Sequence, residues 1–194
     1  MIRRHLLAAL LAPVVLGLAA CATPQAPGSA LAAVPAASGR LSLTVDDVQG
    51  GPPQNLITGF RLTGSASAGT LTLDGALGTT ALFIRWAPGS ARLVRGDGVR
   101  DYASLDDLTR EALGESLPLA ALFDWLQGRP SPLGPWQAEA GQASPPRVFS
   151  QLGWRVDASQ FAAQRLLQAS RAAGNSPGGA TPGVQMRIKL DAAP

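Results

Sequence analysis

The sequence contains one cysteine and one histidine, and only 15% of its residues are charged and 5% aromatic. A single thiol, Cys21, cannot form an internal disulfide or a metal site built from thiolates. The histidine, His5, lies in an N-terminal segment typical of a cleaved leader, so the rest of the chain has none for a Ser-His or Cys-His pair or a zinc site that uses His. The sequence also has no glycine motif that cradles a phosphate. We therefore expect no catalytic residue, no metal, no cofactor and no enzyme activity.

The charge is also too small to attract a polyanion. The 16 basic and 13 acidic residues give a formal net charge of +3, and two of the basic residues, Arg3 and Arg4, lie in the leader. Nucleic acid is therefore not an expected partner. Glycine and proline are abundant, with 22 and 16 residues. Ordinary usage would give about 14 and 10, so the chain is rich in turn and linker material.

The N-terminus reads as a lipoprotein signal peptide over residues 1–20. A basic start is followed by a short apolar run and then by Leu18-Ala19-Ala20-Cys21, which resembles a bacterial lipobox whose cysteine is acylated after cleavage. The alternative is an ordinary signal peptide with an incidental cysteine. Residue 22 is alanine and not aspartate, as in lipoproteins that leave the inner membrane. We expect a protein anchored by its lipid on the periplasmic side of the outer membrane.

The mature chain divides into a tether and one domain. Residues 21–38 are mostly Ala, Pro, Gly, Ser, Thr and Gln, which cannot form a packed core, so they are interpreted as a lipidated cysteine followed by a flexible tether. Residues 39–194 are long enough to bury one sizeable core. These residues form the expected domain.

Apolar residues alternate with polar ones in short runs bounded by Gly and Pro, which predicts half-buried antiparallel strands. The alternating residues are Leu41, Leu43 and Val45; Leu71 and Leu73; and Leu82, Ile84 and Trp86. Tight turns are predicted at 87–90 and 96–98. Later strands are predicted at 136–140, 147–151, 154–157, 164–170 and 185–190, with a loop over 172–183.

Two helices interrupt the strands. Leucines at helical spacing from Leu105 to Leu113 follow Ser104, a residue suited to an N-cap, and Gly114 ends the run. A second helix is predicted from 117 or 118 to 127. We expect Leu122 and Leu126 to share one face of it, with Trp125 beside them.

One leucine lies at a connection between two predicted strands. Leu77 follows Asp74-Gly75-Ala76 and precedes Gly78, so it falls in a turn. One interpretation is that it folds back over the edge of the sheet. The other is that it forms an exposed apolar tip that contacts lipid or a partner.

Taken in order, the motifs of the domain resemble the LolB family of outer-membrane lipoprotein receptors. The resemblance covers about residues 39–190 and includes the lipobox. Its segments are 60–64 (FRLTG), 69–73 (GTLTL), Leu77-Gly78, 87–89 (APG), Leu93, 103–105 (ASL), Leu108, Leu117-Pro118, Leu122, Trp125-Leu126, 128–130 (GRP), Trp136, Phe149, Gly153-Trp154 and 186–190 (MRIKL).

The resemblance implies a mainly β fold with some α: a strongly curved, unclosed antiparallel sheet of about 11 strands, a half-barrel, with covering helices and a hydrophobic cavity. It implies a monomer that accepts acylated lipoproteins from the periplasmic carrier LolA and inserts them into outer-membrane lipid. The leucine of the family's protruding, membrane-inserting loop corresponds to Leu77. The candidate acyl-chain cavity residues are Leu43, Phe60, Leu62, Leu73, Leu82, Ile84, Leu122 and Leu126. The alternative is a structural or scaffold lipoprotein that binds another envelope protein and whose leucines are all core.

Overall fold

The computed structural model describes residues 37–96, 98–141, 144, 146–176 and 179–192, with Leu77 and Ser176 described by their backbone only. Cys21, the signal peptide and most of the predicted tether lie outside the described residues. The first strand begins at Ala37, so the last two residues assigned to the tether, Ala37 and Ser38, belong to the sheet.

The described chain forms six strands, two helices and then a second group of strands. The first group is β1 (Ala37–Val45), β2 (Gln54–Gly64), β3 (Gly69–Asp74), β4 (Thr80–Ala87), β5 (Ser90–Arg95) and β6 (Gly98–Tyr102). The helices are α1 (Leu105–Leu113) and α2 (Leu119–Trp125). The second group is β7 (Trp136–Ala138), β8 (Val148–Gln151), β9 (Trp154–Asp157), helix α3 (Phe161–Gln164), β10 (Leu166–Arg171), β11 (Gly174–Ser176), β12 (Gly179–Thr181) and β13 (Val184–Leu190).

Eleven of these strands form one antiparallel sheet in the order β6-β5-β4-β3-β2-β1-β13-β10-β9-β8-β7. The edge strands β6 and β7 do not pair with each other, so the sheet is not closed. Strand β1 lies in the middle, between β2 and β13, although it comes first in the chain. The expectation of an unclosed sheet of 11 antiparallel strands is confirmed.

The sheet is curled around helix α2. Two residues of this helix contact distant strands: Phe123 packs edge to face on Trp86 of β4 at 6.1 Å, and Trp125 packs on Phe149 of β8 at 6.4 Å. In a flat sheet these strands would lie seven spacings apart, about 34 Å. Helix α2 has seven residues and is about 10 Å long. Both contacts are possible only because the sheet bends around the helix to form a half-barrel.

Alternation along the strands fills the concave side. In β13, Val184, Met186, Ile188 and Leu190 are buried while the residues between them are exposed. The same period places the alternating residues of β1, β3 and β4 in a single apolar core that also contains Trp125. The predicted strands of the first group therefore have the predicted inner face.

Helix α1 begins and ends where the sequence predicts. The Ser104 hydroxyl accepts a hydrogen bond from the Asp107 backbone N–H at 3.1 Å, and Gly114 ends the helix with φ at +83°. The Ser104 hydroxyl also donates to the Asp107 carboxylate, and this bond, with help from Arg110, holds the pKa of Asp107 below its usual value. Among the described helices, none combines the length and apolar character needed to cross a bilayer.

Three predictions about the second half were wrong. Helix α2 ends at Trp125, two residues before the predicted 127. Residue Gln164, predicted as the start of a strand, ends the short helix α3, because Arg165 turns the backbone with φ at +53°. The predicted loop at 172–183 contains a small hairpin, β11 paired with β12.

Candidate functional site

A closed apolar cavity lies between the sheet and the two helices. Strands β1, β2, β3 and β13 form its floor, and α1, α2 and the linker between these helices form its roof. Its lining residues are all apolar: Leu41, Phe60, Leu62, Leu71, Leu113, Leu117, Leu119, Leu122, Leu126, Met186 and Ile188. The cavity volume is about 20 Å³, room for about one water molecule, and a cavity without polar partners stays dry. A ligand larger than water therefore requires the roof to move away from the floor.

All eight candidate cavity residues are buried, with exposed fractions of 6% or less. Four of them, Phe60, Leu62, Leu122 and Leu126, line this cavity. The other four are Leu43, Leu73, Leu82 and Ile84, which belong to the same core but do not line it. Leu122, Trp125 and Leu126 all face inward, as the helical spacing predicts.

Sequence reasoning did not select seven lining residues. Leu41 and Leu71 precede candidates by two positions on the same strands, so period two would have found them. Leu113 ends the leucine spacing that predicts α1, and Leu119 lies three residues before Leu122 on α2, so helical spacing would have found both. Leu117 lies in the linker between these helices, where periodicity gives no signal. The remaining two residues are Met186 and Ile188 of β13.

Polar contacts fix the linker between α1 and α2 to the sheet and to α1. The Glu115 carboxylate pairs with the Arg171 guanidinium of β10 at 3.1 Å, and the side chains are 11% and 21% exposed. The guanidinium also lies over the Trp154 ring, 5.5 Å from its centroid. The Leu117 backbone N–H donates to the Thr109 hydroxyl at 3.1 Å. The roof is thus held on one side by an ion pair shielded from much of the solvent.

One buried amide joins α2, the loop after it and β8. The Gln151 side chain of β8 is 2% exposed and accepts hydrogen bonds from Trp125 Nε1 and from the Ser131 backbone N–H, at 2.8 and 2.9 Å. Its Nε2 donates to the carbonyls of Ser131 and Gly134 at 2.6 and 2.8 Å. Gln151 therefore fixes α2 and the loop after it to the sheet.

The loop that contains Leu77 is a single-turn 3-10 helix, Ala76–Gly78, between β3 and β4. The Gly75 backbone N–H donates to the Thr79 carbonyl, and the Thr79 hydroxyl donates to the Ala76 carbonyl. Gly78 has φ at +75°, in the left-handed region that favours glycine, whereas Gly75 has an ordinary φ of −95°. A side chain at Gly75 would instead meet the Thr79 hydroxyl at 2.7 Å. The side chain of Leu77 lies outside what the structure describes.

The architecture defines a class of protein, an open β half-barrel that encloses an apolar cavity beneath covering helices. The family model of the outer membrane lipoprotein LolB matches residues 36–189. The chain therefore belongs to the LolB family. It is 33% identical over 149 residues to the outer-membrane lipoprotein LolB of Bordetella petrii, which covers 74% of this chain and 73% of that one. It is 31% identical over 161 residues to that of Cupriavidus metallidurans, covering 80% and 78% of the two chains. It is also 31% identical over 206 residues to that of Cupriavidus pinatubonensis, covering 99% and 97%.

Proposed function

We propose that this protein is the outer-membrane receptor of the Lol lipoprotein pathway. It accepts lipoproteins from the periplasmic carrier LolA, shelters their acyl chains in the half-barrel, and releases them into the outer membrane. The observation that carries this proposal is the cavity lined only by apolar side chains, in a chain of the LolB family. The scaffold alternative is not favoured, because it gives this cavity no role.

The physical need for shelter is large. Three acyl chains of about sixteen carbons, at about 0.8 kcal/mol per methylene, represent about 38 kcal/mol of exposure to water, an upper bound because the chains can cover one another. Unassisted diffusion through an aqueous compartment is therefore negligible. A protein that covers the chains needs no catalysis, only an apolar surface that opens and closes.

Because a cavity of about 20 Å³ is far too small for an acyl chain, we infer that loading separates the roof from the floor. The face of α2 that contains Leu122 and Leu126 would exchange its contacts with the sheet for contacts with acyl chains. The face of α2 and the facing surface of the sheet are both apolar, so each stays covered by apolar atoms whether it contacts the other or the acyl chains. This keeps the free-energy difference between the empty and the loaded protein small enough for onward transfer.

Anchoring and insertion are assigned to different residues. The lipid on Cys21 anchors the protein to the membrane through the tether. Leu77, at the tip of the β3–β4 loop, enters the lipid boundary during delivery. Burial of one leucine contributes about 1.5–3 kcal/mol, enough to orient a protein that is already anchored but too little to hold it there.

A two-stage transfer assay tests the proposal. Full-length protein in liposomes receives a lipoprotein bound to LolA, and acceptance and incorporation into the bilayer are timed separately. We expect Leu77→Glu to accept the lipoprotein normally and to incorporate it slowly, since the charge opposes entry of the tip into lipid. The matched control is Ser67→Glu in the exposed β2–β3 turn, at the opposite end of the sheet.

Two outcomes would contradict the proposal at different points. If the parent protein accepts no lipoprotein, the receptor function is wrong. If Leu77→Glu incorporates the lipoprotein at the parent rate, the loop has no role in insertion. Cys21→Ser tests the anchor independently: we expect loss of a labelled acyl chain and of membrane attachment, with an unchanged urea unfolding curve.

A further inference from the structure

Two leucines are exposed at the edge of an open groove beside the cavity. Leu133, in the loop before β7, and Leu152, in the β8–β9 turn, are 53% and 46% exposed. Both line a groove of about 360 Å³ whose opposite wall includes Ser116 and Pro118 of the α1–α2 linker. Two large apolar side chains therefore stand in water on the same side of one opening.

Leu152 lies in a backbone conformation that does not suit leucine. It and Gly153 form a two-residue hairpin turn with φ values of +54° and +77°. Turns with two positive φ values favour Asn, Asp or Gly at the first position, because a larger side chain crowds the backbone there. Neither turn geometry nor core packing explains a half-exposed leucine at this position, which points to a role outside folding.

The wall that contains these leucines is held in place. Gln151 binds both the Ser131 and the Gly134 carbonyls, which fixes the loop around Leu133. A Cβ at Gly134 would lie 2.9 Å from the Leu152 Cδ2 atom, so Leu152 packs directly over this glycine. The two leucines thus form a fixed apolar edge.

The groove and the cavity share one lining residue. Leu119, at the start of α2, lines both the groove and the cavity and is 2% exposed. Movement of Leu119 with the first turn of α2 would join the two spaces. The linker that precedes α2 is held by the Glu115–Arg171 pair, so the groove borders the part of the roof that must open.

The groove also opens at the end of the sheet that contains the Leu77 loop. The C-terminal end of β1, at Val45, lies beside the N-terminal ends of β2 and β13. Because each pair of neighbouring strands is antiparallel, the β3–β4 loop and the β8–β9 turn lie at this same end of the sheet. Leu77 and Leu152 therefore belong to connections on the same end of the sheet. An acyl chain that leaves through the groove emerges at the end assigned to the bilayer.

We propose that this groove is the passage through which acyl chains enter and leave the cavity. Leu133 and Leu152 make the first contact with a chain, and Leu119 is the partition that moves to admit it. The inference rests on the proposed function, because it requires that the cavity hold acyl chains. Its ligand is the saturated hydrocarbon chain of a lipoprotein.

The test follows one acyl chain into and out of the protein. Full-length protein is placed in liposomes whose lipids include a quencher, and LolA that also bears a quencher delivers a triacylated lipopeptide with a fluorophore in one acyl chain. The fluorophore is bright in the protein and dark in the bilayer, so the rise of the signal reports entry and its decay reports delivery. The variants are Leu133→Asn and Leu152→Asn.

We expect each variant to slow both the rise and the decay by about tenfold, the effect of losing part of one leucine's apolar contact. Leu152→Asn should unfold at the same or a higher urea concentration than the parent, because asparagine suits its turn. The control is Ile57→Thr, which removes an apolar side chain that is 70% exposed on β2 and lies outside the groove. This control should leave both rates unchanged.

Three results would contradict the proposal that acyl chains pass through this groove. Parent rates in both variants would show that chains enter elsewhere while the receptor function stands. Slowing of the decay alone would assign the leucines to contact with the bilayer. Absence of any rise with the parent protein would remove the receptor function, and the passage with it.

Discussion

Replacement of Gln151 by alanine should destabilise the protein more than any other single loss of a polar side chain in this region. The substitution leaves three fully buried groups without their partner: Trp125 Nε1, the Ser131 N–H and the Ser131 carbonyl. Each unpaired buried group costs about 1–3 kcal/mol. Allowing for relaxation of the loop, we expect a loss of about 3–5 kcal/mol, a large share of the 5–15 kcal/mol typical of a domain.

The measurement is urea unfolding followed by tryptophan fluorescence. Ser150→Ala is the control, because Ser150 lies on the same strand with its side chain exposed, and it should leave the unfolding midpoint nearly unchanged. A loss below about 1 kcal/mol for Gln151→Ala would refute the reasoning, since it would mean that water replaces the amide without cost.

Gln151→Glu tests the hydrogen bonds that the amide donates separately from those that it accepts. The acceptor contacts to Trp125 and Ser131 remain, but a carboxylate oxygen would face the two carbonyls that now accept from Nε2. Burial and this repulsion raise the pKa of the introduced carboxyl above its unfolded value. The variant should therefore be most stable below the unfolded pKa and lose stability as the pH rises through the folded pKa, which unfolding curves at several pH values would reveal.

Three further predictions concern the roof and the first helix. Leu126→Glu should cost about 3–5 kcal/mol in urea unfolding and weaken acyl-chain binding, since it places a carboxyl on the wall of an apolar cavity. Gln127→Glu at the exposed neighbouring position loses only an exposed hydrogen bond to the Phe123 carbonyl, so it should cost much less and leave binding unchanged. Glu115→Gln should speed hydrogen exchange in the linker at 114–118, because the Arg171 pair is lost, while Glu111→Gln, which breaks an exposed pair with Arg100, should leave that exchange unchanged. Ser104→Ala should lower the free energy of unfolding by about 1 kcal/mol and raise the pKa of Asp107 in an NMR titration. In the parent protein this carboxylate contributes stability above its unfolded pKa, and the contribution is lost as the pH falls through the folded pKa. This contribution should be smaller in the variant.

The sequence was most informative where one local rule sufficed. Helix α1 has a polar cap at Ser104 and a glycine at its end, so both bounds could be predicted. The inner faces of β1, β3 and β4 followed from period two. Helix α3 could not be predicted because it is one turn long. The positive φ of Arg165, which follows its last residue, is also not indicated by the residue type.

The groove could not be predicted for a different reason. Leu133 and Leu152 are brought to one edge by hydrogen bonds of Gln151, a polar residue that nothing in the local pattern marks as buried. Leu119 joins the groove to the cavity only because the sheet curls around α2. Both relations depend on contacts between residues distant in sequence, which alternation cannot report.

The central position of β1 has a consequence for how the chain folds. Strands β1 to β6 form a meander of neighbours in sequence, so they can pair as soon as they are made. The other edge of β1 pairs with β13, which joins residues such as Leu43 and Met186, more than a hundred positions apart. Until β13 arrives, β1 is an edge strand whose unpaired backbone N–H and C=O groups can pair with other chains.

Completion of the sheet therefore waits for the final few residues of the described chain. A truncation that removes β13 would separate the meander of β1 to β6 from the strands β7 to β10, because β13 is the only strand that joins these groups in the described sheet. Each group would then have a second exposed edge, which favours aggregation during folding. The strand order thus makes the pairing of β13 with β1 and β10 the step that commits the half-barrel to its native state.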